Sequence, residues 1–120
     1  MPYEFDYAFL RSGTPMITLW KHGIALNEGA DRMLGMPEYV AIGYDQKAGA
    51  IAVRPKKPQD TAAYPFTSRF RDGWVRIGAR EFMRLISVRH AINCTEKSVR
   101  VIPDFVQKEN MLIVNIRNAG

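Results

Sequence analysis

Apolar residues in this 120-residue chain come in short alternating runs, each closed within a few positions by Gly, Pro, Asn or Asp. Alternation with period two is the signature of a strand with one buried face, and such frequent turn chemistry leaves room for only brief helices. Met16 to Trp20 form a β-rich run, and Lys21-His22-Gly23 then turns the chain. Ile24 and Leu26 resume the alternation. Asn27 stands where it caps a short helix through Ala30, Met33 and Leu34, stopped by Gly35 with Pro37 beyond. Val40, Ile42 and Tyr44 alternate again, Asp45 to Gly49 makes a hairpin turn, and Ile51 with Val53 return. Ahead of all this, Tyr3, Phe5, Tyr7 and Phe9 alternate with Glu4, Asp6 and Ala8, which reads as an edge strand.

The same order of signals recurs. Val75 and Ile77 lie 51 positions after Ile24 and Leu26, and Leu85 lies 51 after Leu34. With an offset of 61, Val40, Tyr44, Gln46, Lys47, Gly49, Ile51 and Val53 fall on Val101, Phe105, Gln107, Lys108, Asn110, Leu112 and Val114. Gly49 and Asn110 are both residue types that accept positive φ. The organisation expected is one domain over residues 1–120: a strand within 1–15, a first repeat over 16–55, a linker over 56–72 and a second repeat over 73–117. In the second helix, Phe82, Leu85 and Ile86 supply the apolar stripe, while Arg80 and Arg84 face solvent. Each half exposes an apolar face that the other covers.

Residues 23–58 resemble the AbrB/SpoVT/MazE family of transition-state regulators and antitoxins. The likeness lies in Gly23, Ile24 and Leu26, in Leu34-Gly35, in Val40 with Ile42 and Ile51 with Val53, and in the basic tail Arg54-Pro55-Lys56-Lys57-Pro58. It implies a mostly β fold, a pseudo-twofold barrel of two β-α-β-β repeats built within one chain, and DNA binding through basic residues near the strand ends. Two features depart from the family pattern: Ile24 follows the leading glycine where a basic residue is usual, and Asn27-Glu28 replaces the proline at the helix start.

Charge adds a direction. The net charge is +5, and residues 54–100 hold eleven Lys and Arg against four Asp and Glu, so the excess is concentrated there. A basic segment beside a slightly acidic remainder is the footprint of a polyanion-binding surface. The residues expected to neutralise phosphates are Lys21, Arg54, Lys56, Lys57, Arg69, Arg71 and Arg76, and the leading reading is a cytoplasmic regulator or antitoxin-like protein that contacts duplex DNA. A protein-interaction module, as monomer or homodimer, is the first alternative. The second is binding of single-stranded DNA or RNA, because Tyr64, Phe66, Phe70 and Trp74 are interleaved with arginines and can either stack on bases or anchor the loop to the core.

Other chemistries find little support. Cys94 is the single cysteine, so no disulfide framework is possible, and His90 with Cys94 offers two zinc ligands where a structural site usually needs four. No nucleophile, base and orienting group are spaced for catalysis, no glycine run fits a phosphate-binding loop, and no apolar run approaches the roughly 18 residues of a membrane span. The expectation is a non-enzyme without cofactor or metal.

Overall fold

The computed structural model describes residues 14–94 and 96–116. The expected strand from Tyr3 to Phe9 lies outside the described residues. The strands are β1 (Ile17–Trp20), β2 (Gly23–Asn27), β3 (Tyr39–Asp45), β4 (Ala50–Pro55), β5 (Tyr64–Pro65), β6 (Phe70–Arg71), β7 (Trp74–Gly78), β8 (Val99–Val101), β9 (Asp104–Val106) and β10 (Met111–Asn115). The helices are α1 (Glu28–Met33) and α2 (Arg80–His90).

The fold is mostly β, and its strands form two antiparallel five-stranded sheets, ordered β6-β7-β2-β1-β8 and β5-β3-β4-β10-β9. Both sheets are open, so the closed barrel implied by the family resemblance is not what forms. The cause lies in how the strands are shared out. The stretch that the 61-residue offset would align with the unbroken β3 is interrupted at Ile102-Pro103, where a ring without an N–H ends the ladder; β8 on one side joins β1, and β9 on the other joins β10.

Alternation places one face of each sheet inward. Ile17, Leu19, Ile24, Leu26, Val75 and Ile77 from the first sheet meet Val40, Ile51, Val53, Leu112 and Val114 from the second. Each such side chain, removed from water, contributes on the order of 1.5–3 kcal/mol. Ala30 and Leu34 of the first helical segment, and Met83 and Ile86 of α2, complete this core. Leu85, expected inside, is 44% exposed. Helix α2 turns Met83 and Ile86 inward, which carries Leu85 to the solvent side, so Leu85 does not share the buried position of Leu34, its expected counterpart 51 residues earlier.

At the centre of the first sheet β2 and β7 are neighbours with Ala25 opposite Arg76, Ile24 opposite Ile77 and Leu26 opposite Val75. At the centre of the second, β4 and β10 are neighbours with Ala52 opposite Ile113. The hairpin turns after β3 and before β10 use positive φ at Gly49 (68°) and Asn110 (49°). The stretch expected as a linker is partly ordered into β5, a 3-10 turn (Thr67–Arg69) and β6, and Phe66 within it is fully buried.

Candidate nucleic-acid interface

Side chains on the outer face of the first sheet follow from the same alternation that fills the core. Across β7, β2, β1 and β8 one row reads Arg76, Ala25, Thr18, Arg100. Two residues along the strands, in opposite directions, stand Trp20 on β1 and Trp74 on β7. With Ser98 these residues line a shallow trough of about 240 Å³. Ala25 and Thr18, both small, lie between the longer side chains, and Thr18 Oγ1 is buried there without a hydrogen-bond partner among the described residues. The Arg100 guanidinium sits 5.9 Å above the Trp74 ring, a cation–π contact that holds the charge over the trough. Arg76 Nη1 reaches the Arg71 carbonyl at 3.5 Å. Neither Arg76 nor Arg100 has a carboxylate partner among the described residues.

A second group of cations adjoins the trough. Lys21 and His22, in the β1–β2 turn, line a cleft of about 350 Å³ with Arg80 and Arg84 of α2. Arg80 Nη2 donates to His22 Nδ1 at 3.0 Å, which fixes the accepting nitrogen of that ring. The Trp20 and His22 rings meet edge to face at 6.4 Å, so the cleft opens at the Trp20 end of the trough.

The seven basic residues expected from the sequence are thus not gathered in one patch. Arg76 lies in the trough with Arg71 at its edge, and exposed Arg69 belongs to the 3-10 turn before β6. Lys21 lies in the adjoining cleft. Lys56 and Lys57 are exposed on the loop after β4, in the other sheet. Arg54 is engaged internally: its Nη1 and Nη2 donate to Asp60 Oδ2 and Oδ1 at 2.8 and 2.7 Å, and the Lys57 N–H donates to the same carboxylate at 2.7 Å. These bonds hold the Asp60 carboxyl down to about 2. Arg54 is therefore a clasp for the loop, and its charge is spent there. Trp20, Arg100 and the cleft formed by Arg80 and Arg84 were not among the residues expected to bind. Strand parity alone would have put Trp20 on the face opposite Leu19, but the pairing of β8 with β1, which delivers Arg100, crosses some eighty positions of chain.

Of the aromatics between Tyr64 and Trp74, Phe66 is core, Phe70 packs against it and Trp74 alone reaches the trough. His90 and Cys94 do not converge on a common point: His90 Nε2 bonds the Tyr44 hydroxyl at 2.6 Å, and buried Cys94 contacts Ser87 Oγ at 2.8 Å. No group of three or more His, Cys, Asp and Glu is placed to hold a metal among the described residues, and none of the described helices is long and apolar enough to cross a membrane. No family model, curated protein or solved structure matches the chain.

Proposed function

We propose that this protein binds single-stranded nucleic acid along the trough of the first sheet, as a non-catalytic binding module. The observation that carries the reading is the convergence of Trp20, Trp74, Arg76 and Arg100 on one open face with no acidic residue lining it. Indole rings offer stacking surfaces to unpaired bases, each worth about 1–3 kcal/mol, while arginines neutralise the backbone beside them. A duplex keeps its base faces covered and would leave the tryptophans unused. Exposed Ser98 supplies a hydroxyl group in the lining of the trough.

The reading includes an architecture: two diverged copies of one β-α-β-β unit related by a local twofold axis, as the resemblance to AbrB-type proteins implies. Register supports it. Ala25 and Arg76 are 51 apart and directly opposed, Ala52 and Ile113 are 61 apart and directly opposed, and those are the offsets on which the sequence repeats. Opposition of equivalent residues in antiparallel neighbours is what a twofold axis through that point produces.

Titration of tryptophan fluorescence with a single-stranded oligonucleotide and its duplex, at two salt concentrations, tests the proposal. Tighter binding of the single strand, weakened by salt and lost on replacing Arg76 and Arg100 by Ala, is expected. Duplex preference abolished by Lys56→Ala with Lys57→Ala would overturn it in favour of duplex recognition through the other sheet. Binding of neither would end both readings.

A further inference from the structure

The cleft beside Trp20 has a composition that the trough does not need. Lys21, Arg80 and Arg84 bring three full positive charges to one concavity, with His22 as a fourth nitrogen-bearing wall and no carboxylate among the lining residues. Like charges held together raise the energy of the folded chain, and burial of apolar surface does not require them here, since Lys21, Arg80 and Arg84 are exposed. Their arrangement is also fixed by backbone. The Ala79 N–H donates to the His22 carbonyl at 2.9 Å, joining the β1–β2 turn to the start of α2. Gly23 permits this approach: a Cβ there would lie 1.9 Å from the Ile77 carbonyl oxygen and 2.9 Å from the Ala79 nitrogen. Helix α2 begins at this wall, and Ala79 brings no capping side chain to its first N–H groups. The positive end of the helix dipole adds to the attraction for an anion. Glu81, in the first turn, is exposed and does not line the cleft.

We propose that this cleft takes the terminal phosphomonoester of a strand whose bases lie along the trough, an inference that rests on the single-strand reading above. A terminal phosphate carries nearly two negative charges at neutral pH, against one for a phosphodiester within the strand. A site with three cations and a histidine discriminates in favour of the dianion by charge, and arginine forks add directional bonds to its oxygens. The edge-to-face contact between His22 and Trp20 sets the cleft next to the indole on which a terminal base would stack. Either end of a strand can carry such a group, and the chemistry recognised is the same for both.

The experiment uses the full chain and three oligonucleotides of one sequence, bearing a 5′-phosphate, a 3′-phosphate or hydroxyls at both ends. At fixed salt, a phosphorylated strand is expected to bind about tenfold tighter than the hydroxyl strand, equivalent to about 1.4 kcal/mol, and the favoured strand identifies the end recognised. In Arg84→Gln and in Lys21→Gln that advantage falls toward unity. Equal binding of all three strands to the wild type, or an advantage that survives both substitutions, overturns the proposal while leaving the trough reading intact. Should no strand bind, the trough reading fails, and the cleft is judged by the NMR signals of the His22 ring. A shift with a nucleoside monophosphate, absent with the nucleoside and lost in Arg84→Gln, upholds phosphate recognition there. No shift overturns it. Thermal melts of both variants matching the wild type show that the change is local.

Discussion

The starts of α1 and α2 occupy corresponding places, each following a central strand of the first sheet, yet they are built in opposite ways. At α1 the side chain of Asn27 makes three bonds: Oδ1 accepts from the Ala30 and Met16 N–H groups at 3.0 and 2.9 Å, and Nδ2 donates to the Thr14 carbonyl at 2.8 Å. Acidic Glu28 and Asp31 follow in the first turn, and Arg32 pairs with Glu28 at 2.7 Å. At α2 the position 51 residues after Asn27 is Gly78, Ala79 offers no cap, and Lys21, Arg80 and Arg84 outnumber the one first-turn carboxylate, Glu81, which does not line the cleft. One corner satisfies its backbone and charges from within. The other leaves both open, and openness at a helix start is what an external anion needs.

The contrast between the two helix starts depends most on Gly23. Gly23→Ala forces a methyl group against the Ile77 carbonyl, and a loss of at least about 3 kcal/mol is expected in urea unfolding, with the cation cleft dispersed. A melt within 1 °C of wild type, roughly a few tenths of a kcal/mol for a chain of this size, would show that the two segments are not pressed together as described. Next comes the internal cap: Asn27→Ala removes three hydrogen bonds and should cost about 2–3 kcal/mol. The mirror experiment at the open corner, Ala79→Ser, supplies a cap where there is none and should add about 0.5–1 kcal/mol. Equal effects of the same sign at both corners would erase the contrast.

Asp31 sharpens the comparison through pH. It is 2% exposed, Oδ2 accepts from Thr67 Oγ1 at 3.0 Å and Oδ1 has no partner among the described residues, so burial pushes its carboxyl above the ordinary value. Folding therefore favours the protonated form. The stabilisation this gives is complete below the usual carboxylate range and is lost as pH rises through the raised value. Asp31→Asn, which keeps an acceptor for Thr67, should be more stable than the wild type at pH 7 by roughly 1 kcal/mol, with the gap narrowing toward pH 4. Asp60 has the opposite sign. Its carboxyl is held at about 2 by Arg54, so its contribution is present above the ordinary carboxylate range and fades as pH falls toward 2. Melts of Asp60→Asn against the wild type should converge over that acidic window, and parallel curves would refute the clasp.

Much of the β framework was legible. The turn at Asp45 to Gly49, the helix opened by Asn27 and closed at Gly35, and the alternation of Ile24, Leu26, Ile51 and Val53 are local signals, each fixed by residues within a few positions. Less was legible in α2, where Leu85 and Met83 satisfy an apolar stripe about equally well on paper and packing under the sheets decides between them. The trough was half legible: Trp74 and Arg76 share a face by strand parity, whereas Arg100 arrives through long-range pairing that no local pattern encodes. Arg54 illustrates the opposite failure. Its place in a basic run suggested a free cation, and only the fold of the loop brings Asp60 round to meet it.

The unequal corners have a geometric consequence for any elongated partner. A surface with twofold symmetry receives a directional polymer equally well in either sense, because rotating the complex by half a turn restores it. Here the cationic concavity stands at the Trp20 end of the trough, while the first sheet's other helix start presents Glu28 paired with Arg32. Heading is thereby written into the protein, and a chain with distinct ends has one orientation of lowest energy on it.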